Sequence, residues 1–197
     1  MNKNILKRYW EAYGGLKALF GSPYLYAAFI LSAAMAPAWI NNPWHEIVLS
    51  VMPNVLGFSL GGYALLVAIG DDRFRALISG EHEEGEPSPY MEVNAAFVHF
   101  IFMQLFSLMC ALFSSAYYFK IDKTGWVTQK LENLNIPLEE LVIAGNYIGY
   151  TIFIYALLTA IAATLAILRV SSWYDHMHTE RIKAKKEANS SDSNNNS

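Results

Sequence analysis

The chain has 197 residues, 54% hydrophobic and 16% charged, with a formal net charge of −3. This is one domain's length but too apolar for an ordinary soluble domain; the net charge by itself says little, and no direct nucleic-acid binding is expected. The single cysteine, Cys110, excludes an intrachain disulfide framework.

Residues 1–21 form an N-terminal segment at the cytoplasmic face. Within it ILKRYWEAYGGLKALF sets Ile5, Leu6, Tyr9, Trp10 and Tyr13 among basic residues. This suits either a helix lying in the headgroup region or a short connector with aromatic anchors, since Gly14-Gly15 interrupts the pattern. Residues 18–44 then carry no charge, and Pro23, Pro37 and Pro43 leave about 22–40 as the first span. A cleaved signal peptide fits poorly, because the apolar stretch leads straight into another span with no small-residue cleavage site before a soluble domain. Trp39 and Trp44 bracket the turn NNPWHE at the height of interfacial aromatics, and so short a turn predicts that spans one and two are antiparallel neighbours.

Three further uncharged runs, 47–70, 93–119 and 141–168, each exceed the roughly 20 residues a helix needs to cross hydrocarbon. They predict spans at about 47–70, 94–118 and 142–168, completing a membrane domain over 22–170. Between the second and third spans lies an acidic loop, 71–92, whose Glu81, His82, Glu83, Glu84 and Glu86 match no calcium-loop spacing. After the fourth span comes a cytoplasmic tail, 171–197, whose EANSSDSNNNS end predicts disorder from about 187. His176 and His178, two apart, face different directions on a helix, so no metal site and no cofactor is expected.

The second span contains GFSLGG, which matches both the G-x-S-x-G nucleophile elbow and the G-x-x-x-G packing signature. The elbow needs a strand-to-helix turn on a sheet of βαβ units, and none surrounds it. A hydrolase would also need His99, the only intramembrane histidine, as the base for Ser59. Read as helix, Gly57, Gly61, Ala64 and Ala68 line one stripe and Ser59 points away from it. Gly145, Gly149, Ala156, Ala160 and Ala163 form a similar stripe on the fourth span. Such stripes serve contacts within the bundle or between copies, and the sequence leaves both open. No catalytic residue is expected, and the chain is read as a non-enzyme.

Asn54, His99, Gln104 and Asn146 are the intramembrane polar groups, lining a water-accessible path or bonding neighbouring helices. No Asp, Glu, Lys or Arg lies mid-span, which argues against an ion-coupled transporter. Eleven Lys and Arg fall on one side of the spans and three on the other, placing both termini in the cytoplasm. The expected fold is therefore all-α: a polytopic four-helix transmembrane bundle.

With its four spans and its run G-F-x-x-G-x-x-A-L-L-x-A-I-G-D-D from Gly57 to Asp72, the chain resembles small multi-span proteins of bacterial anti-phage systems, namely retron membrane effectors and the membrane component of the Kiwa system. The resemblance implies an inner-membrane effector that oligomerises and permeabilises the membrane when triggered. Its implied partners are the lipid bilayer, further copies of itself, and a cytoplasmic regulatory protein or retron reverse transcriptase complex. The alternatives are a membrane anchor or sensor that recruits a cytoplasmic defence partner, and a small channel-like protein unrelated to defence.

Overall fold

The computed structural model describes residues 4–68, 88–117 and 138–195, and every regular element in them is a helix. In chain order these are α1 (Ile5–Tyr13), α2 (Gly15–Gly21), α3 (Pro23–Ala34), α4 (Ala36–Ile40), α5 (Trp44–Ala68), α6 (Pro89–Tyr117) and α7 (Leu138–Asn195). Uncharged runs become helix because a helix satisfies its own backbone groups where water does not. Segments within α5, α6 and α7 are long and apolar enough to cross a membrane. The α2–α3 pair, bent by 47°, is apolar and long enough if taken as one broken span, so the described residues hold three helices able to cross a membrane, or four. The acidic cluster Glu81 to Glu86 lies outside the described residues.

The first predicted span is not one helix. Residues 22–40 divide into α3 and α4 at Met35, with Pro37 in the first turn of α4. A proline ring there clashes with the carbonyl four residues back and supplies no N–H, so the α3 ladder stops. At 12 residues α3 is about 18 Å long, short of a hydrocarbon core of about 30 Å. Nor do α3 and α4 pair with α5 as the short turn predicts; they pack chiefly against α7. The Tyr147 hydroxyl donates to the Phe29 carbonyl at 3.0 Å, and the Trp39 and Tyr147 rings lie 5.5 Å apart.

Helices α5, α6 and α7 form the body of the molecule. Val48 and Met52 of α5, Ala111 of α6 and Tyr150, Phe153, Ile154, Tyr155 and Ala156 of α7 share one buried cluster with Ala28 of α3. A second cluster joins Val93, Phe97 and Phe100 of α6 to Ala163, Ala166 and Val170 of α7, with Val55 and Tyr63 of α5 against it. As α5 and α7 ascend in number α6 descends, so α6 runs antiparallel to both. Ser88 caps α6, its Oγ accepting from the Met91 N–H at 3.3 Å, and Pro89 occupies the first helical position. Pro53 interrupts the α5 ladder without ending the helix, and Asn54 Nδ2 donates to the Ser50 carbonyl beside it at 3.1 Å.

Over residues 171–184 the long helix α7 is mostly exposed, with Trp173 and Met177 packed on the second cluster. It continues to Asn195, where composition predicts disorder from about 187. A helix already nucleated by a span extends without a new nucleus, so weak formers such as Asn and Ser can follow it. His176 and His178 are exposed, and among the described residues no group of three metal-ligating side chains assembles.

Candidate functional site

The two small-residue stripes have opposite fates. On α5, Gly57, Gly61, Ala64 and Ala68 are all exposed, and a Cβ built on Gly57 or Gly61 meets nothing within 4 Å. Among the described residues no helix packs against Gly57 or Gly61 on this face. Phe58 beside it projects outward, 88% exposed. On α7 the stripe turns inward: Gly149, Ala156 and Ala163 are buried and Ala160 is partly so, while Gly145 at its start is exposed.

Gly149 is a notch for Trp44. A Cβ at Gly149 would lie 2.6 Å and 2.7 Å from the Cη2 and Cζ2 atoms of that indole, so only glycine fits the close approach. The Trp44 Nε1 donates to Asn146 Oδ1 at 3.0 Å, one turn earlier on α7. Trp44 and Trp39 are both buried within the protein, 3% and 6% exposed. The Trp39 Nε1 is satisfied by the Ser32 carbonyl at 2.8 Å. A large buried indole needs a polar partner and a gap of its own size, and α7 supplies both to Trp44.

Ser59 is buried on the face of α5 opposite the glycines. Its Oγ donates to the Val55 carbonyl at 2.6 Å and accepts from Gln104 Nε2 of α6 at 2.9 Å. The serine therefore meets an amide rather than an imidazole. Gln104 is fully buried, and its Oε1 and the Ser107 Oγ one turn on have no hydrogen-bond partner among the described residues.

His99 belongs to a different constellation. Its Nδ1 lies 2.9 Å from the Tyr9 hydroxyl and its Nε2 3.1 Å from the Tyr155 hydroxyl, while the Tyr13 ring stacks on it at 3.9 Å. A 3.5 Å contact between the Tyr13 and Tyr155 hydroxyls continues the chain. A neutral imidazole carries one donor and one acceptor, so one tyrosine gives a proton to the ring and the other receives one. The network joins α1, α6 and α7. Burial pushes the Tyr9 phenol up to about 12, with Tyr155 adding to the effect, and burial and the Tyr155 contact raise Tyr13 as well. Both therefore stay protonated hydroxyls at neutral pH.

Of the four polar residues singled out in the sequence, His99, Gln104 and Asn146 bond across helices. Asn54 is exposed and bonds within its own helix. Sequence reasoning passed over Tyr155 and the inward roles of Tyr9 and Tyr13. Their signal was the Tyr9–Tyr13 spacing of four, which puts both rings on one helical face.

Helix α1 presents that tyrosine face to the bundle and keeps Ile5 and Leu6 exposed, with Leu16 and Phe20 exposed on α2. Lys7, Arg8 and Lys17 are exposed beside these apolar residues. The α1–α2 corner requires Gly14, whose φ of +94° is left-handed and where a Cβ would sit 3.0 Å from that of Ala18. No protein-family model, curated protein or solved structure matches the chain.

Proposed function

We propose that this chain is a membrane-embedded effector that assembles with further copies of itself through the outward face of α5 and perturbs the membrane once assembled. The observation that carries the reading is the exposed stripe of Gly57, Gly61 and Ala64, where a Cβ added at either glycine meets nothing within 4 Å among the described residues. Small residues let two backbones approach closely enough for van der Waals contact, which drives helix association where lipid removes the hydrophobic incentive. In this reading the broken segment α2–α3–α4 serves as a fourth span and both termini face the cytoplasm of a bacterial inner membrane. The anti-phage setting rests on the resemblance of the α5 run to defence membrane proteins, and a cytoplasmic regulator would act on the exposed tail of α7.

The test is expression of the full chain in bacteria while following entry of a membrane-impermeant dye, with and without neighbouring genes. Dye entry that disappears in a Gly57→Leu/Gly61→Leu variant still inserted in the membrane supports the effector. Retained integrity in every condition, with recovery of a bound cytoplasmic protein, favours an anchor or sensor instead. Single cysteines at Asn4 and Ser191 in a Cys110→Ser background report sidedness: labelling by an impermeant maleimide from outside overturns the proposed orientation.

A further inference from the structure

A cavity of about 560 Å³ lies between the N-terminal helices and the body of the bundle. Trp10, Leu25 and Phe29 wall it on one side, and Phe102, Phe106 and Ile152 on the other. The size falls within the range of about 300–1,000 Å³ typical of small-molecule sites. Its inner end reaches His99 and Tyr155, whose polar atoms are already engaged with one another, so the remaining walls offer an occupant almost only apolar contact.

From this geometry we infer that the cavity holds an acyl chain of an anionic phospholipid. Two observations choose this occupant. The far wall comes from the uncharged runs 93–119 and 141–168, so what adjoins it in a membrane is hydrocarbon. The near wall alternates in sequence with cations: Arg8 precedes Tyr9 and Trp10, and Lys17 precedes Leu19 and Phe20. Arg8 and Lys17 are exposed with no acidic partner among the described residues, whereas Lys7 lies 3.9 Å from Glu11. A chain lying in the cavity would bring its phosphate to those two cations, and basic residues at a membrane surface attract anionic headgroups. The Gly14 corner folds α1 and α2 into this wall, so cavity and cations share one structural cause.

The inference is independent of assembly through α5 and is read without any toxicity assay. The full chain is placed in phosphatidylcholine nanodiscs containing a trace of phosphatidylglycerol or phosphatidylcholine bearing a diazirine near the end of one acyl chain. Light-induced adducts are then mapped by peptide mass spectrometry. The expected result is labelling concentrated at 25–29 and 102–106, at least fivefold stronger from the phosphatidylglycerol probe. Leu25→Trp, which fills the cavity, should lower it about fivefold, and Leu168→Trp on an exposed face should leave it unchanged. The pair Arg8→Gln/Lys17→Gln alters no packed side chain and should equalise the two probes, so it decides the matter even if Leu25→Trp fails to fold. Equal labelling by both probes in the unaltered chain, or adducts spread evenly over the lipid-facing surface, overturns the inference.

Discussion

Helices α5 and α7 carry nearly the same device, small residues every three or four positions, and use it in opposite directions. On α7 the stripe is a socket: Gly149 admits the Trp44 ring and Ala156 is completely buried. On α5 Gly57 and Gly61 face out with open space where a side chain would be. The difference lies in the other face of each helix. Helix α5 already has a filled interior face in Val48, Met52 and Ser59, so among the described residues Gly57 and Gly61 have no neighbour. Helix α7 is contacted by α3, α4 and α6 and needs small residues to let them close. Periodicity thus identifies a surface for close approach, and only the competition among neighbours says what approaches.

The largest effect expected from breaking this comparison is at Gly149. Gly149→Leu should destabilise the fold by about 3 kcal/mol or more, because the Trp44 ring occupies the position of the new Cβ and is itself held by Asn146. Thermal unfolding in detergent measures it. Trp44→Leu should restore much of the loss in the double variant, a strongly non-additive pair. If Gly149→Leu is as stable as the parent, the socket description of α7 fails.

How much of this was legible in the sequence follows from the same residues. The uncharged runs revealed α5, α6 and α7, because hydrocarbon leaves an apolar segment of that length little choice but helix. Helical geometry also put Ser59 opposite Gly57 and Gly61. What stayed hidden was sidedness, since Val48 and Met52 inside are chemically no different from Leu60 and Leu65 outside. The break in the first predicted span stayed hidden for another reason. Its uncharged composition reads as one helix, but the α3 ladder stops before Pro37. The burial of Trp44 was hidden because it depends on Gly149, about a hundred residues away.

A smaller effect is expected at the junction of α1 with the bundle. Tyr9→Phe removes the hydroxyl facing His99 and should weaken docking of α1 by about 1 kcal/mol, read as faster proteolysis between α1 and α2. Alkali should do the same to the parent. With the Tyr9 phenol raised from 10.0 to about 12, the folded state holds its proton more tightly than the unfolded one, so its contribution is complete below pH 10 and is lost as pH rises towards 12. Tyr9→Phe should flatten part of that dependence, leaving the part due to Tyr13; an unchanged profile would show that Tyr9 does not carry it.

At the α5–α6 contact the expected effect is smaller again. A double-mutant cycle of Ser59→Ala and Gln104→Leu should give a coupling near 0.6 kcal/mol, the usual size of a hydrogen bond between membrane helices. Gln104→Leu alone should be close to neutral, because it also removes the buried, unpartnered Oε1 and leaves Ser59 bonded to Val55. A loss of 3 kcal/mol on that substitution would mean that Gln104 holds something beyond Ser59.

The smallest effect on folding should come from the residues on which the proposed function depends. Gly57→Leu and Gly61→Leu add side chains to open space on a lipid-facing surface, and leucine favours helix over glycine, so the isolated chain should keep its stability within about 0.5 kcal/mol or gain slightly. The same pair should abolish association measured by crosslinking or by energy transfer between labelled copies. Those two results together separate a surface built for another copy from a merely lipid-exposed glycine face. Loss of stability would mean that the stripe is packed within the chain after all. Unchanged stability with unchanged association would leave α5 bare, and assembly would have to use another face.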